Sequence, residues 1–203
     1  MDKDESDKKA LFIQRVCAFI IDAILVAFVA SFIAYPFADL KSIDKLDKEM
    51  TNIMESYVND EINEKTYLTE CASISYQLAR KNGTLNFITL FIEILYFVVF
   101  QLYNKGQTFG KKLLNIKVVS FDEQELSMNQ LIYRSLIINS ILYGFILFAF
   151  TIFANQYTYF YGMLVVDVIQ YLIILISGFM IMFGKSGRGI HDLVSCTKVV
   201  RLN

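Results

Sequence analysis

Asp22, Glu93 and Asp167 each interrupt a long apolar stretch of the chain. A carboxylate inside a segment long enough to cross a bilayer costs about 2.5–3.5 kcal/mol even on a lenient insertion scale, so it is retained where it faces a partner, a water-filled path or a ligand. Glu93 precedes Lys105 by 12 residues, about 18 Å along a helix. That places it near mid-membrane, with no Lys, Arg or His at its level in any apolar run. Its carboxyl there would be neutral when dry or would hold a cation. Asp167 is followed at helical spacing by Gln170, Tyr171 and Ser177, a polar stripe. Asp22 follows Arg15 by two helical turns, about 10.5 Å in height. The two share a face but do not touch without snorkelling.

These groups admit two readings. In the first, Asp167, Glu93 and Asp22 stand at outer, central and inner levels, with Gln170 beside them and His191, the only histidine, at the base. Such a staggered set can trade protons for small cations. In the second, the acids only bind the helices together through hydrogen bonds. Asp22 would then pair with Arg15, Arg188 or His191, because a buried acid usually finds a cation.

The elements that must carry these residues follow from composition. The chain has 203 residues, 55% of them hydrophobic, with one Pro and a mean hydropathy of +0.45. Four apolar runs stand out, at about 16–38, 85–103, 135–154 and 160–183. As helices they reach about 28–38 Å, enough for a hydrocarbon layer of about 30 Å. A helix apolar all round has nowhere to hide in so small a soluble fold. No alternating pattern suggests a barrel. The fold class expected is an all-α membrane protein, a single domain over 1–203 built on a four-helix transmembrane bundle. The first run is too long, and too interrupted by Asp22, to read as a signal peptide.

Lys and Arg set orientation. The segments before the first run, between the second and third (104–134), and after the fourth (184–203) hold 13 of the 19 basic residues. Both ends should therefore be cytoplasmic and 41–84 extracytoplasmic. The charged N-terminal tail, Asp2, Asp4, Glu5 and Asp7 beside Lys3, Lys8 and Lys9, reads as disordered and solvated. Within 41–84, apolar residues recur at three- and four-residue steps from Ile43 to Ile62 and from Leu68 to Ala79, two amphipathic helices. They form an extracytoplasmic helical hairpin that caps the bundle or serves a protein partner as a docking face.

The cytoplasmic segments carry an internal repeat. Gly106-Gln-Thr-Phe-Gly110-Lys-Lys-Leu-Leu-Asn-Ile-Lys117-Val-Val119 aligns without a gap on Gly187-Arg-Gly-Ile-His191-Asp-Leu-Val-Ser-Cys-Thr-Lys198-Val-Val200. Each copy follows two apolar runs that are themselves preceded by an arginine, Arg15 or Arg134. The β-branched ends predict strands at 115–120 and 196–201 that pair with each other, since a lone strand leaves its ladder open. Ser127-Met-Asn-Gln130 reads as a capping box opening the next helix. The Gly106–Lys112 stretch lacks the spacing of a phosphate loop. It reads as a turn with lysines facing anionic headgroups.

Arg15-Val-x-Ala-x-x-Ile-Asp22, Gly106-Gln-Thr-x-Gly110-Lys-x-Leu-x-x-Ile-Lys-Val-Val and Arg188-Gly-Ile-His191-Asp192-Leu-Val-x-x-Thr197 resemble, in order, the opening, central and closing motifs of the RDD family of membrane proteins. The family is named for one arginine and two aspartates, which makes Asp192 the second aspartate. The resemblance gives Arg15, Asp22, Gly106, Gly110, Arg188, His191 and Asp192 a structural or functional role. It implies an integral membrane protein of bacterial type, in the plasma membrane, and transport roles have been suggested for some members.

An enzyme is not expected. There is one histidine, no Cys-x-x-Cys and no His-Glu-x-x-His, so the common zinc sites are missing. No catalytic residue, metal, cofactor or nucleic-acid partner is called for; the lipid bilayer is the partner the composition demands. Two function classes remain: a proton- or cation-linked transporter, which at this size would need a homo-oligomer, or a non-transporting assembly factor working through protein contacts.

Overall fold

The computed structural model describes residues 9–122 and 124–202; of the charged tail, 1–8 lie outside them, whereas Lys9 is not free in solvent but forms an antiparallel bridge with Val200 of the second strand segment. Helix α1 (Phe12–Ala34) ends in a tight turn at Pro36, the only proline. Helix α2 (Leu40–Val58) starts where the Asp39 carboxylate accepts from Ser42 N, and α3 (Glu64–Lys81) where Asn63 accepts from Thr66 N. Both are N-caps that satisfy orphan backbone donors. Lys81 at the end of α3 pairs with Asp39 at 2.8 Å, and the Tyr57 and Tyr67 rings stack 4.4 Å apart. The two amphipathic helices therefore run antiparallel.

Helix α4 (Gly83–Ile94), a π-helical stretch (Leu95–Phe100) and α5 (Gln101–Tyr103) form one continuous rod. Short α6 (Phe109–Leu113) leads into strand β1 (Ile116–Ser120). Then come α7 (Met128–Ile138), opened by the expected Ser127/Gln130 capping box, α8 (Ile141–Phe153) and the long α9 (Gln156–Phe183). Short α10 (Ile190–Val194) leads into β2 (Thr197–Arg201). The α3 helix leans on α9 through Tyr76 and Tyr159, whose centroids are 5.6 Å apart.

Three helical rods, Phe12–Phe37, Gly83–Tyr103 and Gln156–Phe183, are long and apolar enough to cross a membrane. The pair Met128–Ile138 and Ile141–Phe153 makes a fourth if it counts as one span. Only 6% of the apolar window of α9 is buried within the protein. Phe28, Phe32 and Phe153 are among the large apolar side chains left exposed. A surface of that kind is soluble in lipid.

The run at 135–154 is not one straight helix, as its hydropathy suggests, but bends by 64° at Asn139–Ser140. Ser140 is left-handed, with φ 57°, which no helix continues through. Asn139 already ends α7, and its amide side chain turns back to Ser135 Oγ at 3.1 Å.

The two strands pair antiparallel, as expected, with Val118 opposite Val199, Lys117 opposite Val200 and Val119 opposite Lys198. This register is symmetric about the Val118–Val199 pair. The approach to each strand is alike too. A short helix precedes it, and a left-handed residue, Asn115 (φ 53°) or Cys196 (φ 50°), turns into it. Gly106 (φ 85°) begins the first approach, and a Cβ there would strike the Val118 carbonyl. Ile116, Val118 and Val199 then join Ala18, Leu90 and Leu131 in one buried core, which clamps the sheet beneath the helices.

Candidate functional site

The sheet end of the molecule holds the buried charged side chains, Asp22, Arg134 and Asp192, with His191. Asp192, in α10, is fully buried. Its carboxylate takes Arg15 Nη1 of α1 at 3.0 Å and Arg134 Nη1 of α7, with Gly189 N donating at 3.1 Å. Burial opposes ionisation of Asp192, but Arg134 and Arg15 outweigh it and hold the carboxyl well below its usual range. Arg188 serves the same corner differently. It donates to the Asp192 and Thr197 carbonyls, each at 3.0 Å, and lies 4.0 Å over the Phe121 ring, a cation–π contact.

His191 is buried next to this cluster. Its Nδ1 lies 2.8 Å from Ser177 Oγ, and that oxygen accepts from Ile190 N. Nε2 faces the acceptor-only Asp192 Oδ2 at 3.5 Å, so the assigned tautomer carries its proton on Nε2 and the serine hydroxyl donates to Nδ1. Burial, reinforced by Arg134, pushes the imidazole down to about 3, so it is neutral near pH 7.

Asp22 does not pair with Arg15, Arg188 or His191. Its two oxygens accept from Tyr96 Oη at 2.6 Å, Thr108 Oγ1 at 2.5 Å and Gly110 N at 2.7 Å. Two helical turns separate it from Arg15, and Arg15 is already engaged by Asp192. Hydrogen-bond donors from the Gly106–Gly110 segment take the place of a cation, and α6 is thereby fastened to α1. The lysines of that segment part ways: Lys112 is exposed, whereas Lys111 turns inward, its Nζ donating to Gln101 Oε1 at 3.2 Å. Burial lowers the Lys111 amine to about 7. This corrects the expectation that both lysines face headgroups.

Glu93 and Asp167 come together on a second cavity, of about 390 Å³. Gln170, Ser140 and Tyr143 share its lining, and the Tyr143 hydroxyl interacts with Asp167. Gln170 Nε2 donates to the Ile137 carbonyl and to Ser140 Oγ, both at 3.2 Å, so it satisfies backbone freed where α7 breaks into α8. Carbonyls and side-chain oxygens at a broken helix, next to two carboxylates, are groups that bind protons or hard monovalent cations. Asp22 lies apart, on the wall of a different cavity. The three acids are thus divided two and one, and Ser177, placed with Gln170 on one stripe, belongs to His191 instead.

Several of these partners carried little signal in the sequence. Thr108 caps α6 and was visible only as part of the Gly-Gln-Thr motif. Tyr96 lies in the π-helical stretch, whose extra residue per turn no periodicity announces. Arg134 stood out as the counterpart of Arg15, but its partner is 58 positions away.

Mostly exposed apolar helices over a small charged, strand-clasped end define a helical membrane protein. The RDD family model matches residues 9–195, and the chain belongs to that family. No curated protein matches the chain, and no solved structure does.

Proposed function

We propose that the protein is a proton- or cation-linked transporter whose exchanging groups are Glu93 and Asp167. The observation that carries this reading is their presence on one cavity beside the helix break at Ser140. The accompanying topology has four spans, both ends cytoplasmic, and α2–α3 as an extracytoplasmic hairpin. The two cytoplasmic motifs, with their matching short helices and strands, make it an internal repeat about an axis along the membrane normal. Asp22 has a structural role here, bound on both oxygens, and is no longer a rung of the pathway. A protein of this size would work as a homo-oligomer.

The test is ion flux in proteoliposomes, read with an internal pH dye under imposed sodium or potassium gradients. Glu93→Gln keeps volume and hydrogen bonding but cannot lose a proton. It is expected to insert and melt like the parent while abolishing flux. Full flux in Glu93→Gln removes the carboxylate mechanism. No flux in the parent leaves the assembly-factor reading.

A further inference from the structure

Between α1, α7 and α9, just above the sheet, lies a cavity of about 430 Å³ that the transport reading does not use. Its walls are mainly apolar, including Phe12, Phe19, Leu175, Phe179 and Met182. Its volume falls in the range of small-molecule sites, roughly 300–1,000 Å³. Its charged lining is one-sided. Arg15, Lys111 and Arg134 contribute cations, and among the described residues the one acid on the lining is Asp22, whose oxygens already hold three donors.

Two of those cations lack a full set of partners. The Arg15 side chain is 10% exposed, and its Nε is the one buried side-chain nitrogen or oxygen among the described residues without an acceptor. A buried donor in that state is destabilising until something accepts from it. The Lys111 ammonium has a neutral amide, Gln101 Oε1, as its hydrogen-bond acceptor. A site with unmet donors on one side and a wide apolar wall on the other matches a ligand that is anionic at one end and hydrocarbon at the other.

We propose that this cavity binds an acyl chain ending in an anionic headgroup, with the headgroup at Arg15 and Lys111 and the chain between α1 and α9. The chain then runs past Phe19 and Leu175, away from the sheet, and the headgroup completes the charge balance of the sheet end. The site is separate from the Glu93–Asp167 cavity and does not depend on the transport reading.

The test uses the full chain in a neutral maltoside detergent, titrated with cis-parinarate, a fatty acid whose fluorescence rises in an apolar site. The parent is expected to bind it saturably, with oleate displacing it at about tenfold lower concentration than oleyl alcohol, which lacks the charge. Lys111→Gln should weaken parinarate about tenfold. Gly178→Leu should remove binding by filling the cavity. A Cβ at 178 stands at ordinary contact distance from Phe12, 3.7 Å, and thermal melting of the variant is measured alongside binding to establish that it is folded. Competition by oleate and by dioleoyl phosphatidylglycerol distinguishes a free fatty acid from a bilayer lipid. Either winner supports the site. Equal displacement by oleate and oleyl alcohol, or undiminished binding in a folded Gly178→Leu, overturns it.

Discussion

Gly110 donates its backbone N–H to Asp22 Oδ1 at 2.7 Å, and the bond exists because residue 110 has no Cβ. A Cβ there would meet the Ala18 carbonyl oxygen and come within 3.0 Å of the same Asp22 oxygen. Both obstacles belong to α1, one of them to its backbone, so neither can move aside cheaply.

Gly110→Ala should therefore force α6 off α1. Overpacking costs about 1–3 kcal/mol, and losing a hydrogen bond to a buried carboxylate about 1.5–3 kcal/mol more. Thermal unfolding in detergent should show a clear drop. Gly178→Ala, on a helix face with room, should not. Equal melting of both variants would mean that the α1–α6 contact is looser than described.

Asp192→Ala should be the most damaging change at the sheet end. It leaves Arg15 and Arg134 buried without their shared counter-charge, and breaking such a pair costs about 3–5 kcal/mol. Val194→Ala, two residues on and on an exposed face, is the control and should melt like the parent. If the two variants unfold together, Asp192 is not the keystone of this end.

Acid should act on stability through His191 before Asp192 titrates. His191 has a folded value of about 3 against about 6.5 when unfolded. Below pH 6.5 the unfolded chain takes up a proton that the folded one refuses, so stability falls as pH drops from about 6.5 toward 3. Between pH 6.5 and 5 the loss is about 2 kcal/mol. The depressed Asp192 supplies stability that is complete above its unfolded value and is lost only below the ordinary carboxylate range, outside this window. The penalty on Lys111 has already accrued above pH 7. Relative to His191→Gln, the parent should lose this much stability over the interval, read as the difference between their melting curves at each pH. An unchanged slope in the variant would assign the effect to another group.

Sidedness can be read by cysteine labelling with a membrane-impermeant maleimide, in a background lacking Cys17, Cys71 and Cys196. Asp60→Cys, in the turn after α2, should react from outside in intact cells, and Lys112→Cys should react only after permeabilisation. The reverse pattern inverts the proposed topology.

Much of the architecture was legible because it rests on short-range patterns. The lengths of the apolar runs, the three- and four-residue steps of α2 and α3, and the Lys-Val-Val strands each announced themselves. Pairing of the strands followed from the need to close their ladders. What escaped depends on contacts distant in sequence. Hydropathy averages across Asn139–Ser140, so the break in 135–154 stayed hidden although two polar residues mark it. Rise per residue argues against direct contact of Arg15 with Asp22, but pairing of the two stayed among the expectations, because no local rule says that Asp192, 177 positions on, takes Arg15 instead. The meeting of Glu93 and Asp167 is likewise a product of α4 and α9 both packing on α8, which depth alone does not reveal.

The shared carboxylate at Asp192 also dictates an order of assembly. Arg15 and Arg134 precede it by 177 and 58 residues, so the ribosome releases both arginines first. At 5–20 residues per second, Arg15 waits roughly ten seconds or longer. Until Asp192 is made, each arginine is, from its own release onward, an open positive charge next to an apolar helix, the kind that holds a nascent segment on its side of the membrane. Arrival of Asp192 then converts them from orienting charges into buried struts. The same two side chains thus act first in biogenesis and afterwards in the finished fold.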